Sequence, residues 1–123
     1  MSDPSSSAIG SGAAAKPGLK GFVFRLVPPR ADFPFTMSDA EAATMADHVG
    51  YWAELAAKGS AVAFGPVADP AGVYGIGIVL AGDLSAAEAI RDGDPANRSP
   101  HGFVTEIAPM LSLVTPERRY GAT

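Results

Sequence analysis

The sequence contains no cysteine, two histidines and a single tryptophan. Without thiols, a disulfide framework, thiolate catalysis and cysteine-based zinc sites are all excluded. Two histidines are too few for a histidine-rich metal site within one chain. Charge is sparse as well: Lys, Arg, Asp and Glu make up 18% of the residues, and the formal net charge is −4. Binding a phosphate backbone needs clustered cations that displace counterions, so nucleic acid is not an expected partner. No apolar run is long enough to cross a bilayer, and the N-terminus lacks the basic and apolar regions of a secretory signal. The expectation is a cytoplasmic protein with no membrane partner.

What is present describes one small globular domain: 123 residues, of which 47% are hydrophobic. Residues 1–18 are mostly Ser, Ala, Gly and Pro, too poor in apolar side chains to offset the entropy of ordering, and read as a disordered tail. A folded domain is expected over 19–115. Residues 116–123 are polar and read as a second loose end.

Strand and helix signals follow in a clear order. Residues 21–27 are rich in β-branched and aromatic side chains and stop at Pro28-Pro29, the pattern of a first strand. A loop over 28–36 leads to Ser38-Asp39-Ala40-Glu41, a capping box that opens a helix running to about Lys58, with Gly59 as its C′ residue. Residues 61–64 predict a short strand ended by Gly65-Pro66, and 73–80 a third strand, joined through the turn-forming Asp69-Pro70-Ala71-Gly72. A second capping box, Ser85-Ala86-Ala87-Glu88, predicts a short helix stopped at Gly93. Residues 103–107 predict a fourth strand, with a possible continuation over 111–114.

The order βαββαβ predicts an α+β, ferredoxin-like fold: an antiparallel-type four-stranded sheet with both helices on one face, because right-handed crossovers place them on the same side. The third strand is apolar on both sides, and helices cover only one of them. The simplest cover for the other is the same face of a second copy, which predicts a homodimer. A small domain leaves much of its surface exposed, so burying a further face is a substantial gain.

Several residues in ordered spacing carry a family resemblance. They are Phe22-Val23-Phe24 through Pro28-Pro29-Arg30, Met37, His48 with Tyr51-Trp52, Gly59, Gly65-Pro66, Asp69-Pro70 with Gly72, Tyr74-Gly75 and Asp94-Pro95. Over residues 20–113 the chain resembles the YciI-like (YCII-related) proteins. The resemblance implies a ferredoxin-like domain that forms a dimeric α/β barrel, similar in shape to muconolactone isomerases and small barrel monooxygenases. Most members have no assigned reaction, although a dehydrochlorinase acting on chlorinated hydroxyhydroquinone is among them. A His–Asp centre proposed for the family maps onto His48 and Asp94.

The residues support a reading of their own beside that resemblance. Met45, His48, Trp52 and Leu55 follow helical steps of three, four and three, which places His48 on the sheet-facing stripe of the first helix. A partly desolvated imidazole there suits proton transfer, whereas the plain alternative is a core histidine held by a hydrogen bond. Asp94 follows a helix stop and precedes Pro95, as an N-cap does, and can also orient an imidazole. Asp69 is explained by its turn. His101 reads as an exposed loop residue, and Thr44 and Tyr51 lie one turn from His48 within hydrogen-bonding range. Arg25 and Glu106 are candidates for a cross-strand ion pair. The expected pocket lies between the first helix and the sheet, with Phe24, Tyr51, Trp52, Gly65 and Pro66 near the His48–Asp94 pair. Arg30 is either a solvated loop residue or a partner for an anionic substrate at the mouth.

The leading functional expectation is a cofactor-independent lyase, isomerase or dehydrohalogenase acting on a small metabolite. No metal or nucleotide motif is present: Gly75-Ile76-Gly77 lies inside a strand, not at a helix start, so it is no dinucleotide fingerprint. The alternative is a non-catalytic module that binds a small ligand or a partner. A monooxygenase-like activity is disfavoured because nothing in the sequence supplies flavin or haem contacts.

Overall fold

The computed structural model describes residues 18–121, so most of the expected N-terminal tail lies outside the described residues. The first strand, β1 (Lys20–Val27), alternates as its sequence suggests: Phe22, Phe24 and Leu26 are buried, while Arg25 is exposed. Where a plain loop was expected, a single turn of helix, α1 (Phe33–Thr36), carries Pro34 in its first turn and buries Phe33. The next helix, α2 (Asp39–Ala57), opens on the predicted capping box, with both the Ser38 and Glu41 bonds in place. Gly59, at φ 83°, ends it: its N–H reaches Ala56 O, and Ser60 N–H reaches Leu55 O, the paired bonds of a Schellman motif.

The second strand, β2 (Ala61–Val67), runs through Gly65-Pro66 and does not stop there. It lies at the edge of the sheet, where proline's missing N–H leaves no ladder bond unmade. The Asp69 side chain accepts from Ala71 N–H at 2.8 Å and shapes the turn into β3 (Tyr74–Ala81). Helix α3 (Leu84–Gly93) begins two residues earlier than its expected box: Asp83, not Ser85, is the N-cap and accepts from Ala86 N–H at 2.8 Å. A carboxylate two residues upstream in extended conformation takes the first free amides before Ser85 can. A short helix, α4 (Pro95–Arg98), leads to β4 (Val104–Pro109). Beyond it, β5 (Leu113–Val114) pairs with β6 (Arg119–Tyr120) in a separate small hairpin. Residues 111–114 therefore do not extend the fourth strand, and part of the expected loose end is paired. Leu113 and Met110 occupy the space beside Gly21, where a Cβ would lie 3.0 Å from each.

Strands β2-β3-β1-β4 form one four-stranded sheet, and each neighbouring pair is antiparallel. Phe22, Phe24, Val79, Ala81 and Ala61 from the sheet pack with Trp52 and Leu55 of α2 and Ala87 of α3, so the main helices share one face. Burying side chains such as Phe24 and Val79 contributes about 1.5–3 kcal/mol each. This arrangement fits a ferredoxin-like α+β fold. The opposite face presents Val23, Ile76 and Ile78 beside Arg25, which sits 4.0 Å from Glu106 and 4.4 Å from the Tyr74 ring. Among the described residues, no helix is long and apolar enough to cross a membrane.

Candidate functional site

The chain turns sharply at Gly93-Asp94-Pro95, where Asp94 ends α3 and caps α4. Pro95 takes the first helical position, which needs no N–H donor, so the next amide reaches the cap: Ala96 N–H donates to Asp94 Oδ1 at 2.9 Å. Asp94 is 3% exposed. A carboxylate so far from water costs several kcal/mol unless it is paired and hydrogen-bonded, roughly as for any buried ion. Two side chains of α2 supply the rest. Trp52 Nε1–H donates to Oδ2 at 2.9 Å, and His48 Nδ1 lies 2.9 and 3.0 Å from the two oxygens.

Helical spacing explains why both partners arrive together. His48 and Trp52 stand one turn apart on the sheet-facing stripe, where Trp52 and Leu55 are buried and Met45 and His48 are half-buried. With Asp94 as the acceptor, the Nδ1 of a neutral His48 carries the proton and Nε2 keeps its lone pair. Nε2 has no hydrogen-bond partner among the described residues. Tyr51 secures the helix from the other side by donating to Ile90 O at 2.7 Å. Burial, and secondarily the negative charge of Asp94, push its phenol pKa upward, so Tyr51 remains a neutral donor.

The pair borders a cavity of about 220 Å³ between α1, α2 and the sheet. Phe24, Trp52 and Phe64 belong to one packed cluster and Leu26, Phe33 and Phe103 to another, and the cavity is lined by both. Two glycines on the helix-facing side of β3, Gly75 and Gly77, also line it and let neighbouring side chains approach the strand closely: the Trp52 ring lies over Gly77 and Leu26 beside Gly75. Aromatic edges interlock around it: Phe24 meets Trp52 at 5.4 Å and Phe33 meets Phe103 at 5.0 Å between centroids, both near-perpendicular. Among the described residues, no lysine or arginine lines it.

Of the residues expected at the site, Phe24, Trp52, Gly65 and Pro66 line the cavity with His48 and Asp94, whereas Arg30 and Tyr51 do not. The Arg30 side chain is partly exposed and tied to neighbouring groups. Its guanidinium grips Glu41 with bonds of 3.0 and 2.8 Å and also donates to Thr36 Oγ1 and Thr36 O. The Arg30 guanidinium, together with the Ser38 amide, draws the Glu41 pKa down to about 2. Thr44 pairs with His101 Nε2 at 3.1 Å and not with His48, and His101 is half-buried, not exposed. Phe33, Phe64, Tyr74, Phe103 and Thr105 also line the cavity and were not anticipated. Alternation along β4 is the signal that places Thr105 and Ile107 on the helix-facing side, since they stand opposite Leu26 and Phe24.

Comparison with family models gives a match to the YCII-related domain over residues 22–111. No curated protein matches the chain. Among solved structures, the chain is similar to a protein of unknown function from Nitrosomonas europaea, with 18% identity and a TM-score of 0.44 over 80% of this chain and 96% of that one.

Proposed function

Because the chain belongs to the YCII-related domain family, we propose that His48 and Asp94 form an acid–base pair acting on a small molecule held in the cavity. One observation carries this reading: Nδ1 of His48 is fixed on a buried carboxylate, while the same ring lines the cavity with Nε2 unpartnered among the described residues. In that geometry the Nε2 lone pair takes a proton from an acidic C–H, and Asp94 stabilises the imidazolium that forms. Returning the proton to a different atom completes an isomerisation. Alternatively, the electron pair of the broken C–H bond forms a double bond as a leaving group departs with its own pair, which is a lyase or dehydrohalogenase step. The apolar lining lowers the local dielectric and strengthens both interactions.

A substrate screen with wild type, His48→Ala and Asp94→Asn tests this. Folded variants should lose on the order of 10²-fold or more in rate. Unchanged turnover in those variants sinks the mechanism. Ligand binding by a wild type that turns nothing over favours the non-catalytic binding module.

We also propose that the helix-free sheet face pairs with a second copy. Its support is the apolar run of Val23, Ile76 and Ile78 on that face, with Ile76 38% exposed. Light scattering at micromolar concentration should give the mass of two chains, and a clean monomer removes the idea.

A further inference from the structure

Thr105 Oγ1 is the buried side-chain polar atom without a hydrogen-bond partner among the described residues. Buried hydroxyls normally find one, so an orphan is informative. The same residue lines the cavity that His48 and Asp94 border. It sits in β4, opposite Leu26 of the neighbouring strand, on a rigid element and with a β-branched side chain that is stiff at χ1. The hydroxyl is thus held in place with no bonding partner among the described residues.

We propose that Thr105 is a specificity-determining residue whose hydroxyl bonds an oxygen function on the ligand, and that the ligand is a compact, uncharged ring compound. This rests on the reading of the cavity as a ligand site. Three features set the ligand's chemistry. The walls are ring edges and faces, including those of Phe24, Trp52 and Phe103, which suit a flat ring. Among the described residues an anion finds no lysine or arginine in the lining, and it meets Asp94, a carboxylate whose two oxygens are already engaged by His48, Trp52 and Ala96. The cavity, about 220 Å³, exceeds the ~150 Å³ that holds benzene in an engineered apolar site, which leaves room for one or two small substituents.

The test is equilibrium binding of three probes of similar shape: benzyl alcohol, ethylbenzene and benzoate. Trp52, the single tryptophan of the chain, lines the cavity and supplies a fluorescence signal. Wild type should prefer benzyl alcohol to ethylbenzene and should bind benzoate least. Thr105→Val replaces the hydroxyl with a methyl group of the same shape. It should weaken benzyl alcohol by about tenfold, the value of one buried hydrogen bond, and bind ethylbenzene at least as well as wild type. Thr105→Ser should keep the preference, and it serves as the comparison if the valine variant does not fold. Equal preference in wild type and Thr105→Val, a wild type that favours ethylbenzene or benzoate, or binding of none of the probes at millimolar concentration overturns the inference. No step of this test requires turnover. An inactive His48 therefore leaves a positive result standing, and a Thr105 without effect leaves the acid–base pair untouched.

Discussion

The indole of Trp52 lies directly on Gly77: a Cβ at that glycine would fall 2.5 Å from Trp52 Cζ3 and 2.6 Å from Cη2. This close seat is what brings Nε1 of the same ring to Asp94. Gly77→Ala should therefore push a rigid, buried ring off its place and cost about 1–3 kcal/mol, as overpacking does. Gly65→Ala is the control, because its Cβ meets nothing within 4 Å. Urea unfolding should show a lower midpoint for the first variant and almost no change for the second.

Asp94 is expected to matter for stability as well as for any reaction. Asparagine in its place presents an NH2 group to a site filled with donors from His48, Trp52 and Ala96. At least one buried donor loses its acceptor, at a cost of about 1–3 kcal/mol. Thermal unfolding should place Asp94→Asn below His48→Ala, which leaves the Trp52 and Ala96 bonds intact. The reverse order would mean that the imidazole, not the carboxylate, organises the site.

Acid should weaken the junction between α1 and α2. The Glu41 pKa lies at about 2 in the folded chain, against an ordinary value of 4.5, because Arg30 and the Ser38 amide hold the carboxylate. A depressed folded pKa gives stability that is fully present above the unfolded value and fades as pH falls from about 4.5 towards about 2. Glu41→Gln should flatten that part of the stability–pH curve while lowering stability near neutrality. A wild-type curve that stays level down to pH ~2 removes the argument.

The helix start itself rests on a local bond. Ser38 Oγ accepts from Glu41 N–H at 3.1 Å. Ser38→Ala should cost about 1 kcal/mol by denaturant titration, within the range for lost N-caps. A change below a few tenths would mean that Arg30 alone secures this end of α2.

Much of the architecture is a consequence of short-range chemistry, and that is why it could be read from residues in order. The capping box at Ser38 and Glu41, the left-handed Gly59 and the turn at Asp69 act over two to five positions and appear where the sequence puts them. The stripe of His48, Trp52 and Leu55 follows from helical period alone. Errors arose where local signals competed. Asp83 and Ser85 are both good caps, and only the extended backbone at Asp83 decides between them. Pro66 resembles a strand end until the strand proves to be an edge.

The sequence by itself thus determined the elements, their order, and a histidine and an aspartate whose types suit proton transfer. Tertiary structure decided the rest, because contacts between distant positions depend on how the elements pack. Arg30 reaches Glu41 across the α1 turn and does not line the cavity, and His101 takes Thr44 as its partner. The Asp94 side chain meets His48 and Trp52 only once α4 docks beside α2. Thr105 carries no motif; its hydroxyl becomes notable only when strand pairing turns it inward, onto an apolar cavity where no described residue bonds it.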